Sequence, residues 1–190
     1  FPPFIYTTTD MRGQAGRTYQ LTIHRNDQPD IVAQATIPQP ATIDSFAIEP
    51  IDGNAEQCNL YAYTSIPEKP VTYYKIFTRR TGDNLDYLSS FLGVLRSDMI
   101  PTDGRIAIQP CRTNFEKNYI PYFTVGDTAR VRLARIDSLS YEYWRHYEDM
   151  LSFSRNSLFP ITRSMPSYIS GAFGFWQGLG STYYEIPLNP

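Results

Sequence analysis

The residues able to do chemistry are few and scattered. The chain has two histidines, His24 and His146, so a three-histidine zinc centre is excluded by count. A Ser-His-Asp relay is arithmetically open, but no Gly-x-Ser-x-Gly elbow is present to expose a serine nucleophile. Glycoside hydrolysis needs two carboxylates at a fixed separation, for which Asp44 with Glu49, Asp83 with Asp86, and Glu148 with Asp149 are candidates in name only. Asp83 and Asp86 fall in a Gly-Asn-rich turn, where aspartate commonly bonds its own backbone, and Asp98 and Asp103 bracket Ile100-Pro101 in a second loop. Neither loop has the glycine and terminal glutamate of a calcium loop. Cys58 and Cys111 have no CxxC spacing and no histidine beside them, and a structural zinc site takes about four ligands. In an exported chain they either form one disulfide or stay as two buried thiols. No catalytic residue, metal site or cofactor is expected.

What the chain has in abundance is aromatic side chains: 15 Tyr, 11 Phe and 2 Trp. Tyrosine and phenylalanine suit half-buried pleated surfaces, so most should be filling between sheets. A subset is better suited to binding. Phe173, Phe175, Trp176, Tyr183 and Tyr184 alternate with Gly171, Gly174, Gly178 and Gly180 near the end of the chain. Glycine permits close backbone approach, and tryptophan or tyrosine faces can stack on a sugar or seat a partner's side chain. Trp144, Phe175, Trp176, Tyr183 and Tyr184 are the candidate ligand-binding residues, against the alternative that this segment closes a sandwich core. A phosphate loop is not a reading of these glycines, because the closing Gly-Lys-Ser/Thr is missing.

Charge narrows the partners. With 17 basic and 19 acidic residues the net charge is −2, which lacks the basic surface that displaces counterions from nucleic acid. Residues 164–184 carry no charge, yet they hold four Gly, four Ser, Pro166, Gln177 and Thr182, too polar for a membrane span.

The elements that position these groups are mostly strands. Tyr19, Leu21 and Ile23 alternate with Thr18, Gln20, Thr22 and His24, the period of a half-buried strand. After the turn residues Asn26 to Asp30, Ile31 to Ile37 returns as the second arm of a hairpin. Pro38 and Pro40 cannot donate ladder hydrogen bonds, so Pro38-Gln39-Pro40 reads as a linker. An isolated hairpin is marginal in water, so residues 1–37 must dock on the rest of the chain. Further strands are expected at Ile43 to Ile48, Cys58 to Thr64, Val71 to Thr78, Arg105 to Gln109, Tyr122 to Val125 and Thr128 to Ile136. Asn84 to Leu95 reads as a short helical turn weakened by Ser89-Ser90 and Gly93. One helix is expected over 139–154, capped by Ser138 or Ser140, with Trp144, Tyr147 and Leu151 on its apolar side and Arg145, Glu148, Asp149 and Arg155 on its polar side. The pattern predicts an all-β, mainly antiparallel sandwich with one helical insertion.

Ordered fragments along the chain resemble a family of Bacteroidota outer-membrane lipoproteins known only as a domain of unknown function. They are Gly16 to Ile23, Ala33 to Pro38, Ile43-Asp44-Ser45, Tyr73-Tyr74, Phe123 to Thr128, Ile136-Asp137 leading into Tyr141-Glu142-Tyr143, and Ile169 to Phe175. The resemblance implies a lipid-anchored protein of the cell envelope, with the anchor outside this sequence, often encoded beside a TonB-dependent transporter. It also implies an immunoglobulin-like region whose last hairpin is here, dividing the chain into 1–39 and a main domain over 40–190. The family's closing motif reads Asn-Ile-x-Gly-Gly, whereas this chain has Tyr168-Ile169-Ser170-Gly171-Ala172. The leading expectation is a non-enzymatic envelope protein that binds a ligand or partner, with an outer-membrane transporter as the partner the resemblance suggests. The alternatives are a carbohydrate-binding module and a hydrolase with an unrecognised site.

Overall fold

The structure, a computed structural model, describes residues 7–65, 69–79, 87–111, 119–153 and 165–189. In chain order the strands are β1 (Thr18–Arg25), β2 (Gln28–Thr36), β3 (Ser45–Ile51), β4 (Asn54–Tyr63), β5 (Tyr73–Arg79), β6 (Leu88–Arg96), β7 (Arg105–Ile108), β8 (Phe123–Thr124), β9 (Thr128–Ile136) and β10 (Gly180–Pro187). The single α-helix among the described residues, α1 (Ser138–Phe153), falls between the last two strands. All pairings between these strands are antiparallel.

Two sheets face one another. One has the order β10-β9-β5-β6; the other runs β3-β4-β7, with β8 also paired to β4. Alternation in β9 shows how one strand serves two layers. Ala129, Val131 and Leu133 join Leu60, Ile76, Ile106 and Ile108 in the core between the sheets, while Ala134 and Ile136 join Phe77 and Tyr141 beneath the helix. The helix therefore covers the outer face of the β9-β5-β6 region, and the expected mainly antiparallel β architecture with one helix is what the chain forms.

Three local features differ from the sequence expectation. Residues 88–96 form a strand rather than a helical turn, and the cause is a wide bulge. Between the pairs Lys75–Val94 and Phe77–Ser89, β5 spends one residue and β6 spends four, which destroys the alternation that would mark a strand. Residues 180–187 also form a strand, β10, where the glycine-rich tail shows no period. Finally, the helix cap is Asp137, not Ser138 or Ser140. Its Oδ1 accepts from the Ser140 N–H at 2.7 Å and its carbonyl from the Tyr141 N–H at 3.0 Å. Ser140 instead buries its hydroxyl, which has no hydrogen-bond partner. Asp137→Ala should cost about 1 kcal/mol of stability, whereas Ser140→Ala should cost little or nothing; urea unfolding of both variants checks the contrast.

The β1-β2 hairpin is a two-stranded sheet of its own, held by the glycine-rich tail. Val32 and Ser170 exchange backbone hydrogen bonds of 3.1 and 2.9 Å, and Arg25 donates to the Gly171 carbonyl at 2.8 Å. At Gly178 and Gly180 the tail passes so close to the Thr36 and Pro38 carbonyls that any side chain would overlap them.

Candidate functional site

The outer face of the β10-β9-β5-β6 sheet carries a connected series of rings and cations. It arises because Tyr73, Lys75 and Phe77 on β5 and Arg132 on β9 alternate outward, where α1 lays Tyr141, Trp144 and Tyr147 over them. Phe175 stacks flat on Tyr143, with centroids 3.9 Å apart and planes at 6°. Tyr143 meets Trp144 edge-on at 5.8 Å, and Trp144 meets Phe77 at 5.6 Å. The Arg132 guanidinium then lies 5.2 Å from the Phe77 ring and 5.5 Å from Tyr183, whose ring contacts Tyr87 at 5.5 Å. Offset and edge-on contacts of this kind add to the burial of each ring.

Beneath this layer is a buried ion pair. The Lys75 side chain is 0% exposed and Glu148 13%, with Nζ to Oε1 at 2.7 Å. Lys75 also donates to the Ser90 carbonyl at 3.1 Å, and the Gly93 N–H donates to the same Glu148 oxygen at 3.0 Å. Burial pushes the Lys75 ammonium below its ordinary value, while Glu148 pulls it back up. Glu148, expected on the polar side of the helix, instead turns inward, because an unpaired lysine there would be an uncompensated charge. The bulge in β6 presents the Gly93 N–H to it.

The candidate binding residues separate into two groups. Trp144, Phe175 and Tyr183 belong to the connected face. Trp144 is half-buried and donates from its indole to Gln177 at 3.0 Å, so it supports the face rather than presenting a platform. Trp176, next to Phe175, is 38% exposed, and Tyr183 is 56% exposed. Tyr184 lies on the opposite side of β10. Its ring meets Phe46 at 5.3 Å and its hydroxyl accepts from the Ile43 N–H at 2.7 Å, so period two forbids it from sharing a platform with Tyr183. Burial raises the Tyr143 hydroxyl above its ordinary value, with Tyr147 adding to the shift.

The other chemistry-bearing residues hold local structure. His24 contacts Asp30 at 3.0 Å on the hairpin surface, and His146 Nδ1 meets the Glu142 carbonyl one helical turn back. Asp44 accepts from Ser65, Glu49 accepts twice from Arg105, Asp98 accepts twice from Arg96, and Asp103 accepts from the Arg105 N–H. Asp83, Asp86 and Arg155 lie outside the described residues. Cys58 and Cys111 are both buried and no disulfide joins them; burial raises the Cys58 thiol above its ordinary value. Of the two readings of these cysteines, the structure has buried thiols. No cluster of three potential metal ligands forms among the described residues, and no described helix is long and apolar enough to cross a membrane.

A family model described as Domain of unknown function (DUF4249) matches residues 3–179. The chain belongs to this family. The DUF4249 match takes in the hairpin, both facing sheets up to β9, the helix and the tail through Leu179, and it contains all the fragments that carry the resemblance. Trp144, Phe175 and Trp176 fall inside the DUF4249 span, while Tyr183 and Tyr184, on β10, lie beyond it. No curated protein and no solved structure matches the chain.

Proposed function

We propose that this chain is a non-enzymatic binding protein of the cell envelope, held there by a lipid anchor and docked to an outer-membrane transporter through the aromatic face of its helix-covered sheet. The observation that carries the reading is the ring-and-cation series from Phe175 to Tyr183, with Tyr183 56% exposed and Trp176, the residue after Phe175, 38% exposed. Aromatic and arginine side chains on a rigid sheet and helix are what protein interfaces concentrate at their centres. The engagement of Asp44, Glu49, Asp98, Asp103, Glu148 and both histidines in local contacts favours binding over hydrolysis.

A double variant, Trp176→Ala with Tyr183→Ala, should lose the transporter in cross-linked pull-downs from native membranes, with affinity falling about thirtyfold or more, as for hot-spot residues. Capture of the transporter undiminished by the double variant would refute the face, and a wild-type pull-down without any transporter would refute the partner. A second reading, a carbohydrate-binding module, draws support from the exposed Tyr183 ring beside the Arg132 guanidinium. Binding on a glycan array that vanishes in Tyr183→Ala would favour it instead.

A further inference from the structure

Away from the aromatic face, the two facing sheets end on one side in β6 and β7. Among the described residues neither outer edge continues into another strand, and β6 is bridged there at Ser90, to Cys111. The gap between these edges is roofed by α1 and holds a cleft of about 410 Å³, within the rough 300–1,000 Å³ range of small-ligand pockets. Tyr141, Arg145 and Glu148 line it from the helix, spaced four and three residues apart and so on one stripe. Leu92, Val94, Met99, Ile100 and Ile106 supply apolar walls.

Two observations make this more than a gap at a sheet edge. The first is backbone strain at its rim. Leu92 adopts φ +53°, a left-handed conformation that is strained for a bulky residue. Leu92 lies within the β6 bulge and is 56% exposed, and Met99, which also lines the cleft, is 71% exposed. The second is charge. The charged residues lining the cleft are Arg96, Arg105, Arg145 and Glu148. Glu148 is neutralised by Lys75, Arg96 by Asp98 and Arg105 by Glu49. Arg145 is left over: among the described residues no carboxylate lies within 4.0 Å of it. An apolar trough with one surplus guanidinium complements a molecule with an apolar body and a single negative head.

We infer that this cleft binds a soluble monocarboxylic acid with an aliphatic or aromatic body, its carboxylate on Arg145 and its body between Leu92, Met99 and Ile106. Arginine suits a planar carboxylate because it can offer two parallel N–H donors. The cleft borders the helix-covered face and shares Tyr141 and Glu148 with it, but it includes none of Phe175, Trp176 or Tyr183 and does not depend on any transporter.

The test uses the 15N-labelled chain titrated with octanoate, octylamine and 1-octanol. Octanoate should give saturable amide shifts concentrated in 92–96 and 141–148, and bind more tightly than either of the others. Arg145→Gln should weaken octanoate about tenfold, as expected for loss of a charge-assisted hydrogen bond. Leu92→Asn should also weaken it while leaving the thermal midpoint unchanged or higher, since asparagine tolerates positive φ better than leucine. The inference is overturned if octylamine or octanol binds as tightly as octanoate, if Arg145→Gln binds octanoate unchanged, or if octanoate gives no saturable shifts in these segments.

Discussion

Glu148→Ala should lower the unfolding free energy by about 3–5 kcal/mol, the range for removing one member of a buried ion pair. Lys75 is wholly enclosed, and its ammonium has two oxygen partners, Glu148 at 2.7 Å and the Ser90 carbonyl at 3.1 Å. Taking away the carboxylate leaves the charge facing a carbonyl and the Trp144 ring, 5.4 Å away, and strands the Gly93 N–H. Replacing both partners, Lys75→Met with Glu148→Leu, should recover most of the loss, since burying two apolar chains avoids two desolvation costs. Urea unfolding of the three proteins decides the matter. If Glu148→Ala matches wild type, or the double variant is worse than the single, the pair does not have this role. The single variant should also respond to pH. Burial already lowers the Lys75 pKa and Glu148 is the partner that raises it, so the variant's native state sheds its proton earlier still. The unfolded chain then binds more protons than the native one, and stability rises as pH climbs toward the unfolded lysine value of about 10.4.

Gly178→Ala and Gly180→Ala should each cost about 1–3 kcal/mol, the usual penalty for forcing extra volume into a packed site, and should loosen the β1-β2 hairpin more than the rest. The obstruction is backbone, which cannot turn aside as a side chain would. A methyl group at Gly178 would lie 2.8 Å from the Ile37 Cα, and one at Gly180 would lie 2.9 Å from the Pro38 carbonyl carbon. Hydrogen exchange separates local from global effects: amides of β1 and β2 should exchange faster while those of β9, in the sandwich core, change less. Unaltered hairpin exchange in both variants would show that the tail does not secure it.

Much of this architecture is legible as alternation. The period of β9 spans the same residues the strand occupies, and those of β1, β3, β4 and β5 agree to within a few. β6 is not legible, since its bulge inserts Ser90 to Gly93 between two paired positions, and the resulting pattern has neither period. The aromatic set is legible by type but not by side. Tyr183 and Tyr184 fall into one group by composition, yet neighbours on a strand must diverge. The Lys75–Glu148 pair escapes the sequence because its members are 73 residues apart in the chain and no local spacing joins them. A signal does exist: Lys75 lies between Tyr73 and Phe77 on the outward side of a strand, and a lysine flanked by large rings on one face suggests that the face is covered. The Asp137 cap is within reach too, since aspartate is a favoured N-cap residue and Asp137 immediately precedes Ser138, where the helix begins.

The way the hairpin is fastened has a consequence for how the chain is made. Its first strand is complete at Arg25, but that residue's carbonyl partner, Gly171, comes 146 positions later. During synthesis the hairpin must therefore remain without its clasp until 146 further residues have been made. Contacts this distant in sequence are costly to close and slow to form, so β1 and β2 should settle late although they are made well before their clasp. In that interval their unpaired edges are open to any chaperone or neighbouring nascent chain that reaches them first.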